Sequence, residues 1–234
     1  MNQESLFSIS PLDGRYENAV SALREITSEY GLIKYRYLIE IKWFIHLSKN
    51  PQIKELPKLD IKDYLYLNDL INNFDIKDAK RVKTIEKKTN HDVKAIEYFI
   101  REKFKKHKKL SKYQEFIHFA CTSEDINNLS YALMIKEAKS ITKAAINETN
   151  KKIKQLANKY KKISMLSRTH GQNASPTTMG KEFANFHHRI NKISLSVDRR
   201  IMTGKINGAV GNYNAHRVAS VSYTHLRAHE TRYD

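Results

Sequence analysis

The chain reads as all-α, a small N-terminal helical domain followed by the first part of a long-helix bundle, and three observations predict it. No glycine or proline occurs between Pro57 and Gly171, and sheet proteins need turn residues far more often than that. Ile126, Leu129, Leu133, Ile141, Ala145, Ile153, Leu156 and Tyr160 recur mostly three, four or seven to eight residues apart, an apolar stripe along one long helix. Phe183, Phe186, Ile190, Ile193, Val197 and Ile201 form a second such stripe.

Shorter helices are expected over 18–25, 28–48, 60–73, 76–88 and 92–106, with the Pro51 to Pro57 stretch as a connection. The first long helix is expected from Asp125 to Lys161, about 54 Å at 1.5 Å per residue. Helices of that length need partners, which points to a bundle. Ser175 and Pro176 read as cap and first residue of the second long helix, and Gly204 as its stop. The domain reading is 1–110 for the N-terminal helical domain, 111–219 for a truncated part of the central bundle, and 220–234 for a tail that resembles a translated vector scar.

Lys and Arg outnumber Asp and Glu 42 to 25, a formal charge of +17. A polyanionic partner is one reading; dispersed, solvated lysines are the other. Lys103-Phe104-Lys105-Lys106-His107-Lys108-Lys109 is the best candidate for a basic patch. No recognition-helix motif or zinc finger accompanies it. The single cysteine, Cys121, excludes an intrachain disulfide and a multi-cysteine zinc site. Charges interrupt every apolar run and residues 1–15 hold no signal-peptide core. The expected location is cytoplasmic, without a membrane partner.

Ser167-Arg168-Thr169-His170-Gly171-Gln172 places one imidazole in a short polar loop between two helical stretches. A histidine there suits general acid chemistry near neutral pH; a structural or surface histidine is the plainer alternative. Thr89-x-x-Asp92 and Thr122-x-x-Asp125 read as capping boxes. Helix N-termini also receive carboxylates and phosphates. Asn90, His91 and Ser123 exceed what a cap needs. Arg15, after the turn signal Asp13-Gly14, could fork onto an anion. Gly204 to Asn212 is glycine-rich, but its lysine precedes the spacing glycines, so it is no P-loop. It reads as a turn or a close backbone approach. His187-His188 reads as surface plus interface. His225, His229 and Glu230 mimic a metal site in a segment that looks foreign.

Together, Asp13-Gly14-Arg15-Tyr16, Thr89-Asn90-His91-Asp92-Val93, Thr122 to Asn128 and Ser167 to Gln172 resemble the adenylosuccinate lyase family of the fumarase/aspartase superfamily. The resemblance runs from Ser8 to Ala219. It implies an all-α tetramer with a helical-bundle core, no metal or organic cofactor, and elimination of fumarate from adenylosuccinate and from the succinyl-aminoimidazole-carboxamide ribotide of purine synthesis. By position, His170 matches the general acid. Arg15, Tyr16, Asn90, His91, Asp92, Thr122 and Ser123 match substrate-binding residues. The family's base is a serine on a mobile loop, which these residues do not contain, so the chain alone is expected to be inactive and to expose apolar stripes. A basic nucleic-acid-binding protein, or a sister lyase acting on another succinyl substrate, are the alternatives.

Overall fold

The computed structural model describes residues 9–218. Eight α-helices and one hairpin make up its regular α and β structure. In order they are α1 Ser21–Thr27, α2 Glu29–Lys49, α3 Ile61–Asn72, α4 Ile76–Thr89, α5 Asp92–Phe104, a 3₁₀ helix Leu110–Phe116, α6 Ser123–Lys159, strands β1 Ser164–Thr169 and β2 Gln172–Thr178, α7 Met179–Asp198 and α8 Asn214–Val218. The chain packs as two units: one takes the described residues through Ala138 together with those from Met202 on, the other is Lys139–Ile201. The change of unit thus falls within α6.

In the first unit, α2 is the central element. Tyr37, Ile41, Phe44 and Leu47 are fully buried on it, among Leu67 of α3, Ile96, Ile100 and Phe104 of α5, and Leu110. Tyr37 packs on Phe74 and Phe99, and Phe44 meets Phe104 edge-on at 4.9 Å. Such aromatic pairs add to plain area burial. Caps fix where the helices begin: Ser28 accepts from the Gly31 N–H, and Asp60 and Asp63 close a reciprocal capping box at α3. Asp75 accepts from the Lys77 and Asp78 N–H groups at α4.

In the second unit, β1 and β2 pair antiparallel, from Ser164 opposite Thr178 to Thr169 opposite Gln172. The register steps between Leu166 and Arg168, where the partner strand advances from Pro176 to Asn173, a bulge. Here the expectations need correcting. The segment around His170 is a hairpin, and Pro176 lies inside β2 rather than opening a helix. A two-stranded sheet has only edge strands, where proline is tolerated. The helix opens three residues later, when Thr178 accepts from the Lys181 N–H at 3.2 Å. It ends at Asp198, before Gly204. Gly204 serves close packing instead, since a Cβ there would lie 2.4 Å from Leu129 Cδ2.

The apolar stripe of α7 is only partly covered. Phe186 is 58% exposed, Ile193 65% and Val197 47%, so this face presents apolar surface to solvent, as the pattern anticipates for a bundle helix short of partners.

Candidate functional site

His170 and Gly171 are the two central residues of the β1–β2 turn, with φ of 50° and 76°. Two-residue loops with both φ positive match the twist of flanking strands, and glycine is the usual second residue. The sequence therefore puts its candidate acid at an exposed hairpin tip, a position that fixes the backbone and leaves the imidazole outward. Arg168 and Gln172, which flank the turn, are exposed as well.

The remaining candidates lie in the first unit. Arg15 and Tyr16 sit in a series of turns held by Tyr16 N–H to Pro11 O and Glu17 N–H to Gly14 O. Both are exposed, and the guanidinium lies 5.5 Å from the Tyr16 ring centroid.

Asn90 ends α4 in the left-handed region, with φ 49°. His91 then caps α5, its Nδ1 accepting from the Lys94 N–H at 3.2 Å. The Thr89 box is thus replaced. Thr89 is the last residue of α4 and its hydroxyl donates to the carbonyls of Glu86 and His91, because the Asn90 turn moves the start of α5 past it. Burial would raise the Asp92 carboxyl, but the Val93 N–H and the Arg36 guanidinium hold it below the usual range.

At α6 the carboxylate half of the second box forms: Asp125 Oδ2 accepts from the Thr122 N–H at 2.9 Å. Asp125 is fully buried and does more. Its carboxylate also receives Lys205 Nζ at 2.6 Å and the N–H groups of Asn207 and Gly208. The glycine-rich segment therefore binds an anion, but that anion is a carboxylate of the same chain. Asn128 Oδ1 accepts from the Lys205 N–H, a further tie between this segment and α6.

Sequence reasoning missed the residues that bring these segments together. Arg36 on α2 pairs with Asp92 Oδ2 at 2.6 Å and donates through Nε to Asn127 Oδ1 at 2.8 Å. One buried guanidinium thus joins the Asn90–Asp92 turn to the N-terminal part of α6. Glu40, fully buried on the same helix, meets His118 Nδ1 at 2.6 Å. An arginine and a glutamate four residues apart on α2, a spacing that sets them on one face, were the available signal.

Other candidates fall away. Cys121 is partly buried, and desolvation pushes its thiol well above the ordinary value, the opposite of a reactive thiolate. In the basic run, Lys103 pairs with Asp78 at 2.7 Å and Lys109 with Asp60 and Asp63, so two of its lysines are held by the fold. His187 contacts Asn150 Oδ1 at 2.8 Å, while His188 is exposed. Among the described residues no group of three His, Cys, Asp or Glu could hold a metal ion; His225, His229 and Glu230 lie outside them. None of their helices is long and apolar enough to cross a membrane. An apolar cleft of about 370 Å³ lies in the first unit against Trp43, Leu129 and Leu133; Gly204 and Lys205 of the glycine-rich segment line it, and neither His170 nor any of Arg15, Tyr16, Asn90, His91, Asp92, Thr122 and Ser123 does.

The described residues thus form a helical scaffold with a histidine-tipped hairpin and polar helix starts. The lyase family model matches residues 14–232, and the chain belongs to that family. The match takes in most of the 220–234 segment. Adenylosuccinate lyase of Legionella pneumophila (strain Corby) is 49% identical over 220 residues, covering 94% of this chain and 48% of that protein. The Escherichia coli (strain K12) protein of that name is 50% identical with the same coverage. The chain therefore spans about half the length of the curated relatives it matches. Among solved structures, a fumarate lyase from Mesorhizobium sp. BNC1 superposes with a TM-score of 0.67 at 16% identity, over 86% of this chain and 46% of that one. A β-carboxy-cis,cis-muconate cycloisomerase from Acinetobacter calcoaceticus sp. ADP1 gives 0.63 at 17%. These two carry the fold alone.

Proposed function

We propose that this chain supplies the general acid and much of the substrate-binding surface of an adenylosuccinate lyase. Identity near 50% to enzymes of that name, across 94% of the chain, carries the reading. The substrates would be succinylated purine ribotides, anions with a phosphate and two carboxylates. Arg15, the amide-rich starts of α5 and α6, and the Thr122 and Ser123 hydroxyls complement such a ligand.

In the elimination, a base takes the proton from the carbon next to the breaking C–N bond. The electron pair forms the double bond of fumarate, and the acid protonates the departing nitrogen. His170 is the proposed acid. Asn90, His91, Asp92, Thr122, Ser123, Arg15 and Tyr16 are the proposed binding residues. The base lies on the serine loop expected outside these residues. The working protein would be a cytoplasmic homotetramer that uses no cofactor.

The test is fumarate release from adenylosuccinate by a protein of the relatives' full length that carries these 234 residues. Turnover that is lost in His170→Asn supports the reading. A folded protein that cleaves neither purine substrate refutes it.

A further inference from the structure

Helix α2 reaches two of the three segments that carry the proposed substrate-binding residues, the starts of α5 and α6, and it does so with polar side chains at i, i+4 and i+7. Arg36 holds Asp92 and Asn127. Glu40 holds His118. The Trp43 indole N–H donates to the Phe119 carbonyl at 2.8 Å. That spacing sets all three on one face of the helix.

Two of these choices are costly for a core helix. Arg36 is 6% exposed and Glu40 not at all, and burying charge is unfavourable unless it is paired. Even paired, Glu40 keeps one oxygen, Oε2, buried without a hydrogen-bond partner. An apolar side chain would fill the space without that penalty. The backbone that Glu40 and Trp43 hold is itself strained. His118 and Ala120 both have φ near +60°, a conformation non-glycine residues avoid and keep only when their surroundings impose it. Thr122 and Ser123 follow directly.

We propose that Arg36 and Glu40 are positioning residues of the substrate site: Arg36 fixes the Asn90–Asp92 turn against the start of α6, and Glu40 fixes the 118–121 turn that delivers Thr122 and Ser123. This rests on the functional reading above for what the two segments bind, but not for how they are held. Around His118, Glu40 and Glu97 favour the imidazolium and Lys94 opposes it.

Two readouts test it. In the 234-residue chain, Glu40→Gln keeps the shape and removes the charge. The His118 ring, followed by NMR titration, should titrate at lower pH. Amides 118–123 should exchange faster while those of α3 and α4 hold. Arg36→Lys, whose ammonium cannot fork to both partners, should loosen amides 90–93 in the same way and serves if Glu40→Gln does not fold. In the full-length protein, each variant should raise KM for adenylosuccinate roughly tenfold with kcat changed less than about threefold, and Arg36→Met should be worse than Arg36→Lys. Unchanged exchange in both segments, or a fall in kcat at constant KM, overturns the proposal. A wild-type protein that does not cleave adenylosuccinate sinks the functional reading instead, and the exchange data still decide what α2 holds.

Discussion

Asp125 and Lys205 meet at 2.6 Å, the Asp125 side chain fully buried and the Lys205 side chain 30% exposed. The pair pins the Gly204–Asn212 segment to the first turn of α6, with the Asn207 and Gly208 N–H groups closing on the same carboxylate. Removing one member of a buried, hydrogen-bonded pair leaves the other uncompensated. Asp125→Ala is therefore expected to lower unfolding free energy by about 3 kcal/mol. Lys205→Met should cost less, because the backbone donors still satisfy Asp125. Urea unfolding of the two variants and their double mutant measures the difference. A coupling near zero would show that the backbone donors, not Lys205, hold the carboxylate.

His170 carries two separate demands, and substitutions can part them. Its left-handed φ is tolerated by asparagine and disfavoured by β-branched residues, at about 1–2 kcal/mol. His170→Asn should leave the thermal midpoint of the chain nearly unchanged, whereas His170→Val should lower it. Both should abolish fumarate release from the full-length protein. Retention of activity in His170→Asn would remove the histidine from the chemistry.

Helix-rich architecture was legible because stripes such as Ile126–Leu129–Leu133 depend only on local spacing. The hairpin was not. Gly171 looked like a break between helices, and the signal for strands, the Thr and Ser content of Ser164–Thr178, is shared with loops. Pro176 was misplaced for a related reason: an edge strand and a first helical turn both accept a residue without an N–H. The site was legible as far as its polar loops. Arg36 and Glu40 were hidden because their partners lie 56 and 78 residues away in sequence (Asp92 and His118), and nothing in sequence separates them from Lys34 and Lys42 on the same helix. The glycine-rich segment reads from sequence as either a turn or a close approach, and its partner Asp125 is visible only in the fold.

Two glycines in the second unit give a sharper contrast. A Cβ on Gly180 would lie 2.4 Å from Ala157 O and from Lys161 Cα, backbone atoms that cannot turn aside. Around Gly171 nothing stands within 4 Å, so only its φ of +76° opposes a side chain. Gly171→Ala should cost about 1 kcal/mol. Gly180→Ala should cost several times that, by forcing the start of α7 away from the end of α6. Circular dichroism melts rank the two; equal losses would mean that the α6–α7 junction yields more easily than its packing implies.

His216 supplies a test by pH. It is fully buried against Trp43 and Tyr213, and neither ring nitrogen has a hydrogen-bond partner among the described residues. Burial lowers its proton affinity; Asp125 opposes that shift and Lys205 adds to it. Above the unfolded value of about 6.5, the ring is neutral in both states and contributes no pH dependence. Below it the unfolded chain takes up a proton that the folded chain resists, so stability falls with pH until the folded value is passed. His118 works in the opposite sense. Burial alone would lower it, but Glu40 holds it above its ordinary value, so its contribution is present below about 6.5 and is lost as pH rises through the folded value. The net profile therefore conceals both, and the comparison must be with His216→Phe, which keeps the aromatic contacts and His118. The stability of wild type relative to that variant should decline from pH 7 toward pH 5 in urea titrations. Parallel profiles for the two proteins would mean that the folded chain accepts the proton on His216 as readily as the unfolded one does.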